Sequence, residues 1–429
     1  MTARRVGLGP DHEPEPPKTP RRMAVLRRTF HALNTRNYRL FYIGQSVSAV
    51  GTWMQRVAQD WLILELGGGA VELAIGLALQ SAPVLLLSMW GGVITDRYDT
   101  RKVLLASQIS FAVLALILGV LVLTDQATLL LVYAMALLLG VTNVIDKPAR
   151  HTFVLELVGT EGAANAVSLN SSINNAARLI GPAVASIVIA VGGIGEAFLL
   201  NALTFGAIIV ALLWMDPASL HPRELSRAGR GQVLEGIRSS LGRADLRTPL
   251  VATFILSTLS QNFRLTLPLM AAEVFGRGVT GYGLLMSTLG VGALVGALAC
   301  AHLARPSQRI AGAAALGFGV MLLLAALAPA YLVLAVIVAG MGIGSTAFNA
   351  TSHTLLLLRS DPDKRGRVMA VRELFSNGFT PLGTLGIGWV CAVASPRMGL
   401  AVGGVAAVGA AALMFRSAAS ERSAAVDPA

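Results

Sequence analysis

Charge is what this sequence has least of. Asp, Glu, Lys and Arg make up only 13% of its 429 residues, against roughly 25% in a soluble domain. That deficit excludes an ordinary water-soluble protein. Cysteine is nearly absent: Cys300 and Cys391 both sit in apolar runs and offer neither a disulfide framework nor a metal-ligand spacing. The six histidines form no cluster. No G-x-x-x-x-G-K phosphate loop occurs, so ATP-driven work by this chain alone is not expected. With no constellation of catalytic groups, the chain is read as a non-enzyme without metal or cofactor.

Apolar residues fill the space that charge leaves. They amount to 54% of the chain, and the mean hydropathy is +0.67. At about 20 residues per crossing, the expected fold is an all-α polytopic membrane protein with twelve transmembrane helices in two six-helix bundles. Hydropathy and length place the spans at 38–66, 71–95, 102–124, 128–148, 165–191, 196–215, 249–275, 281–303, 310–328, 331–358, 368–394 and 397–416. Residues 1–37 read as a disordered tail, with Pro10, Pro14, Pro16, Pro17 and Pro20 among charges, and not as a cleavable signal peptide. Residues 38–215 form the first bundle, 216–248 a central loop, 249–416 the second bundle and 417–429 a C-terminal tail. In the central loop, Gln232, Val233, Leu234, Ile237 and Leu241 predict a surface helix, with Arg238 and Arg243 toward lipid headgroups.

The net charge of +11 is a matter of position. With the N-terminus inside, 29 of the 34 Lys and Arg fall in or beside loops on one side, and only Arg277 and Arg397 on the other. This imbalance orients the protein with both termini cytoplasmic. It accounts for the basicity without nucleic acid as a partner; the partners expected are a lipid bilayer, a small-molecule substrate and protons, with the chain a monomer in the plasma membrane.

Polar residues inside the spans are striped. Gln45, Ser48, Thr52, Gln55, Arg56 and Gln59 share one face of span one. Ser168, Ser171, Asn174, Asn175 and Arg178 do so in span five, Thr253, Ser257, Ser260 and Arg264 in span seven, and Glu373, Asn377, Thr380 and Thr384 in span eleven. Each arginine facing lipid would cost about 2.5–3.5 kcal/mol, so these faces should turn inward. Either they hydrogen-bond helix to helix or they line a wet cavity. The cavity-binding candidates are Gln45, Thr52, Gln55, Arg56, Gln59, Asn174, Arg178, Arg264 and Asn377. Spans three, nine and twelve are apolar nearly all round and should face lipid. Arg56 and Asp60, four apart, can pair on one helix, as a strut or as a proton switch; Asp60 is the candidate for proton coupling. Asp146 reads as a structural anchor. The two halves echo each other: Arg150-His151-Thr152 with Ser352-His353-Thr354, Gln55-Arg56 with Phe263-Arg264, and Pro182 with Pro381.

The turn Gly91-Gly92-Val93-Ile94-Thr95-Asp96-Arg97-Tyr98-Asp99-Thr100-Arg101-Lys102 joins two membrane-length runs. Gly91 and Gly92 allow two helices to approach closely. The spacing Gly92-x-x-x-Asp96-Arg97, followed by Arg101-Lys102, resembles the loop between helices two and three of the major facilitator superfamily, with Asp99 where that pattern has glycine. Asn37 to Gln45, Gly51 to Leu62, Pro148-Ala149-Arg150 and Phe153-Val154-x-Glu156-Leu157-Val158 resemble the branch of that superfamily containing the enterobactin exporter. Gly181-Pro182 resembles the core of the superfamily's antiporter signature, with Ala177 and Ala185 near its flanking glycines. The resemblance runs from about 34 to 416. It implies alternating access and proton-coupled export of a small molecule, drug or siderophore-like, with Gly92, Asp96, Arg97 and Arg101 as a conformational latch in which Asp96 meets the start of span eleven near Arg367 or Arg372. An importer or lipid flippase on the same scaffold, and a non-transporting receptor or scaffold, are the alternatives.

Overall fold

The computed structural model describes residues 31–221, 238, 240–302, 306–361 and 364–426. Most of the predicted N-terminal tail, and Gln232 to Ile237 of the predicted surface helix, lie outside these residues. The described chain is helical throughout. Its first half runs α1 (Arg36–Glu65), α2 (Ala70–Arg97), α3 (Thr100–Leu123), α4 (Leu129–Gly159), α5 (Gly162–Val191) and α6 (Ile194–Trp214). The second half begins with α7, an interrupted rod: Ala244–Ile255, a π-helical turn at Leu256–Ser260, Phe263–Leu269 and a second π turn at Met270–Val274. α8 (Val279–His302), α9 (Gln308–Ala326) and α10 (Tyr331–Arg359) follow. α11 is again interrupted, with Arg365–Glu373, a π turn at Leu374–Gly378 and Thr380–Val393, and α12 is Pro396–Val426.

Nine of the described helices are long and apolar enough to cross a membrane. α1, α7 and α11 are not among them. α1 carries a charged and amide-rich face, and the other two are broken into short pieces.

Packing repeats between the halves. α3 lies on α6 as α9 lies on α12, α1 on α6 as α7 on α12, and α2 on α4 as α8 on α10. Small residues make the contacts close: a side chain at Gly91 would strike the Val144 carbonyl on α4, and one at Gly342 would strike the Leu289 carbonyl on α8. Gly92 faces open space, so of the predicted pair only Gly91 sets the approach. Gly181 of α5 rests on Trp53 and the Val50 carbonyl of α1, the packing use of that Gly-Pro pair.

Several boundaries differ from the sequence expectation. The predicted loop after span four is helical, because Phe153, Val154 and Leu157 are buried in the cluster containing Phe41 and Tyr38; the rings of Phe41 and Phe153 lie 5.8 Å apart, edge to face. The break between α4 and α5 is delayed to Gly159, whose φ of 68° suits glycine. The predicted C-terminal tail continues α12 to Val426. Arg243 binds Asp245 at 2.9 Å and Asp361 at 3.2 Å, an intramolecular clamp. α9 and α12 stay off the central cavity, but α3 contributes Phe111 to it.

A polar cavity closed at one end is the candidate functional site

The halves touch along α5 with α8 and along α2 with α11. A side chain at Gly290 would lie 2.9 Å from Leu179, and Gly388 packs on Ala74 and the Ala70 carbonyl. These contacts lie away from the basic loops. Toward the basic end the halves part, leaving a cavity of about 750 Å³ whose mouth carries Asp146, Lys147, Arg150, His151 and Glu373.

All nine predicted binding residues, Gln45, Thr52, Gln55, Arg56, Gln59, Asn174, Arg178, Arg264 and Asn377, reach this cavity's wall. The stripes of α1 and α11 line it fully. α5 contributes Asn170, Ser171, Asn174 and Arg178, but Ser168 bonds back to the Ala164 carbonyl at 2.9 Å. In α7 the stripe divides. Arg264 faces the cavity, whereas Thr253 bonds Ser352 at 3.0 Å and Ser260 bonds the Gly403 carbonyl at 2.7 Å. Those hydroxyls hold helices together.

The inner end is shut by a side-chain bridge between halves. Arg264 Nη2 donates to Asp60 Oδ1 at 2.6 Å and Arg264 Nε to Oδ2 at 2.9 Å. The Tyr282 hydroxyl donates to Oδ2 at 2.8 Å, and Arg264 Nη1 donates to Gln80 Oε1 at 2.8 Å. Four helices, α1, α2, α7 and α8, meet there. Asp60 is 1% exposed, and its charge is matched by a bidentate guanidinium fork. The predicted Arg56–Asp60 pair on one helix gives way to this: the fork from α7 satisfies both carboxylate oxygens, and the Arg56 guanidinium lies over the Trp53 ring, 4.5 Å from its centre.

Second contacts support the wall. Asn201 donates to Gln55 Oε1. Thr384 of α11 donates to Asn262 Oδ1 at 2.8 Å, tying α11 to α7 beside the π turns. Asp146 anchors the mouth: Ser107 and Gln108 of α3 bind it at 2.8 and 2.6 Å, and Arg150 grips both oxygens. At the basic end of α2, Asp96 and Arg97 are exposed. Arg101 binds the carbonyls of Leu212, Leu213 and Met215, closing the C-terminal end of α6. Asn37 binds the Asp216 carbonyl and Ser219, so that part of the resembling motif pins α1 to the turn after α6.

Gln80 and Tyr282 were not singled out from sequence. Gln80, beside Ser81 in an otherwise apolar run, carried a signal; Tyr282 carried none.

Residues 27–428 match the family described as transmembrane secretion effector. The staphyloferrin A transporter of Staphylococcus aureus (strain NCTC 8325 / PS 47) is 26% identical over 262 residues, 60% of this chain and 65%, slightly under two thirds, of that one. The multidrug efflux pump Tap of Mycolicibacterium fortuitum is 24% identical over 354 residues, 79% of this chain and 85% of that pump. The enterobactin exporter EntS of Shigella boydii serotype 18 (strain CDC 3083-94 / BS512) is 24% identical over 276 residues, 63% of this chain and 65% of the exporter. Among solved structures, a POT family transporter in complex with a thioalcohol-conjugated peptide superposes with a TM-score of 0.74 at 12% identity, over 90% of this chain and 96% of that one. The arrangement of helices thus has its counterpart in a solved transporter, and the chain belongs to the transmembrane secretion effector family of the major facilitator superfamily.

Proposed function

We propose that this protein is a secondary exporter of small amphipathic molecules, drug or siderophore-like, working by alternating access and driven by protons. The single observation that carries the reading is the asymmetry of the cavity: open and polar toward the basic end, shut at the other by the Asp60–Arg264–Tyr282–Gln80 bridge. In this reading the basic end is cytoplasmic, the chain acts as a monomer in the plasma membrane with both termini inside, and twelve crossings divide into bundles at 38–215 and 249–416. Substrate enters from the cytoplasm. Substrate binding opens the closed end; Asp60, freed from Arg264, takes up a proton from the outer side as substrate leaves, and gives it up to the cytoplasm when the chain returns and Arg264 grips the carboxylate again. While the outer end is open, the segment Gly92, Asp96, Arg97 and Arg101 latches the cytoplasmic side against the start of α11. The export functions named for the siderophore and multidrug relatives support the direction.

The test is transport by the purified chain in proteoliposomes with an imposed proton gradient, against a panel of amphiphiles. Gradient-dependent movement out of the compartment facing the basic end is expected. Absence of gradient-dependent movement for every compound would count against a coupled transporter, and movement only in the opposite sense would make it an importer.

A further inference from the structure

Cations outnumber carboxylates in the cavity wall. Arg56, Lys147, Arg150, Arg178 and Arg264 face Asp146 and Glu373, with Asp60 just beneath the wall. Two of the carboxylates are occupied, Asp60 by Arg264 and Asp146 by Arg150, and Glu373 accepts from Asn377 at 2.6 Å. Among the described residues, neither Arg56 nor Arg178 has an ion-pair partner.

What holds these two guanidinium groups is an aromatic face. The Arg56 guanidinium carbon lies 4.5 Å from the centre of the Trp53 ring, and that of Arg178 lies 5.9 Å from it. Stacking uses the π faces of the guanidinium groups and leaves their in-plane N–H donors free for an acceptor. The Arg178 Nε is buried without a hydrogen-bond partner. Two positive groups withdrawn from bulk water beside one indole are poorly compensated by a quadrupole alone; the planar fork matches a carboxylate two bonds at a time. Across the cavity Phe263, Leu265 and Met286 supply an apolar wall.

We propose that Arg56, Trp53 and Arg178 form an anion-binding subsite, and that the molecules this cavity takes are amphiphiles bearing a carboxylate on an aromatic or aliphatic body, in preference to cationic amphiphiles. The proposal rests on the reading of the cavity as a substrate site. It assigns the carboxylate to the two arginines on α1 and α5 and the apolar body to the α7 and α8 wall.

The test is isothermal titration of the full chain in zwitterionic-lipid nanodiscs with three compounds of one shape: 1-naphthaleneacetate, its uncharged amide and 1-naphthylmethylammonium, each corrected for empty nanodiscs. The carboxylate is expected to bind at least tenfold more tightly than the amide and the ammonium. R56Q and R178Q are each expected to weaken the carboxylate about tenfold or more without changing the amide, and R56K to weaken it less than R56Q. Equal affinities across the series, tightest binding of the ammonium, no binding of any of the three, or variants that bind the carboxylate as the unaltered chain does, would each overturn the proposal. The charge series needs no variant, so a misfolded substitution leaves the result intact. If the anion preference fails while the halves still alternate as measured below, the transport reading stands and only the substrate class falls.

Discussion

Asp60 is held by donors that arrive from the opposite half of the molecule, and that is why its partner was not legible in the sequence. Four-residue spacing is a local rule, and it pointed to Arg56. The bundle overrules it, since Arg264 and Tyr282 are more than two hundred residues away in the chain. What was legible was the stripe: Gln45 to Gln59 had to face something polar, and every residue of that stripe reaches the cavity wall. In the stripes of α5 and α7, spacing alone could not separate a cavity residue such as Arg264 from a helix-to-helix hydroxyl such as Thr253. Removing one partner of a buried ion pair typically costs about 3–5 kcal/mol. D60N and R264Q are therefore each expected to lower the thermal stability of this closed-end state by that order, with the D60N/R264Q double variant recovering part of the loss. Melting curves in nanodiscs, read as a double-mutant cycle, check this; additive single losses would mean that the two residues are not coupled.

A second residue-scale expectation concerns the clamp outside the membrane. Hydrogen bonds from Arg243 hold the Asp245 carboxyl below its ordinary value. A carboxyl depressed in the folded state stabilises the fold above its unfolded value, about pH 3.9, and that support is lost as pH falls through the folded value. The stability gap between the unaltered chain and R243Q should be constant from about pH 5 to 8 and shrink below about pH 4. Differential scanning fluorimetry across pH reads it directly; a gap that opens toward low pH would contradict the sign.

At the scale of elements, the long apolar runs were plain to read and the interruptions were not. α7 and α11 were expected as continuous spans, yet α7 has a π-helical turn beside cavity residues Gln261 and Asn262, and α11 has one that contains cavity residue Asn377. A π turn inserts a residue into the helical ladder and re-aims the side chains that follow; hydropathy carries no trace of it. The helical extension through Phe153 to Gly159 was missed because Pro148 and charged neighbours look like a loop until Phe41 and Tyr38 are there to bury it. The α2–α4 contact gives a clean element-scale expectation. G91V should fail to fold, because its Cβ would overlap the Val144 carbonyl, whereas G92A should fold normally. Monodispersity and yield on size-exclusion chromatography separate them. With G92A folded, any loss of transport would report on the latch and not on packing; equal behaviour of the two variants would contradict the packing assignment.

Over the whole molecule, the distribution of Lys and Arg, the pairing of halves and the closed inner end form one system. The basic loops mark the end where the cavity opens, and the inter-half bridge sits at the end where they are absent. Sequence periodicity required the polar stripes to turn inward, to one another or to a cavity; the state in which the cavity is held depends on which helix pairs touch, and no single stretch of chain encodes that. Alternation is the central claim. It is tested most directly by double electron–electron resonance on two label pairs, in a background carrying C300A and C391A: Leu155 with Leu358 across the open basic end, and Gln126 with Leu327 across the closed end, all four exposed. The expected result is two anticorrelated distance distributions, the basic-end pair shortening and the other lengthening when Asp60 is protonated at low pH or replaced in D60N. A single fixed distance for both pairs under all conditions, or both lengthening together, would contradict it.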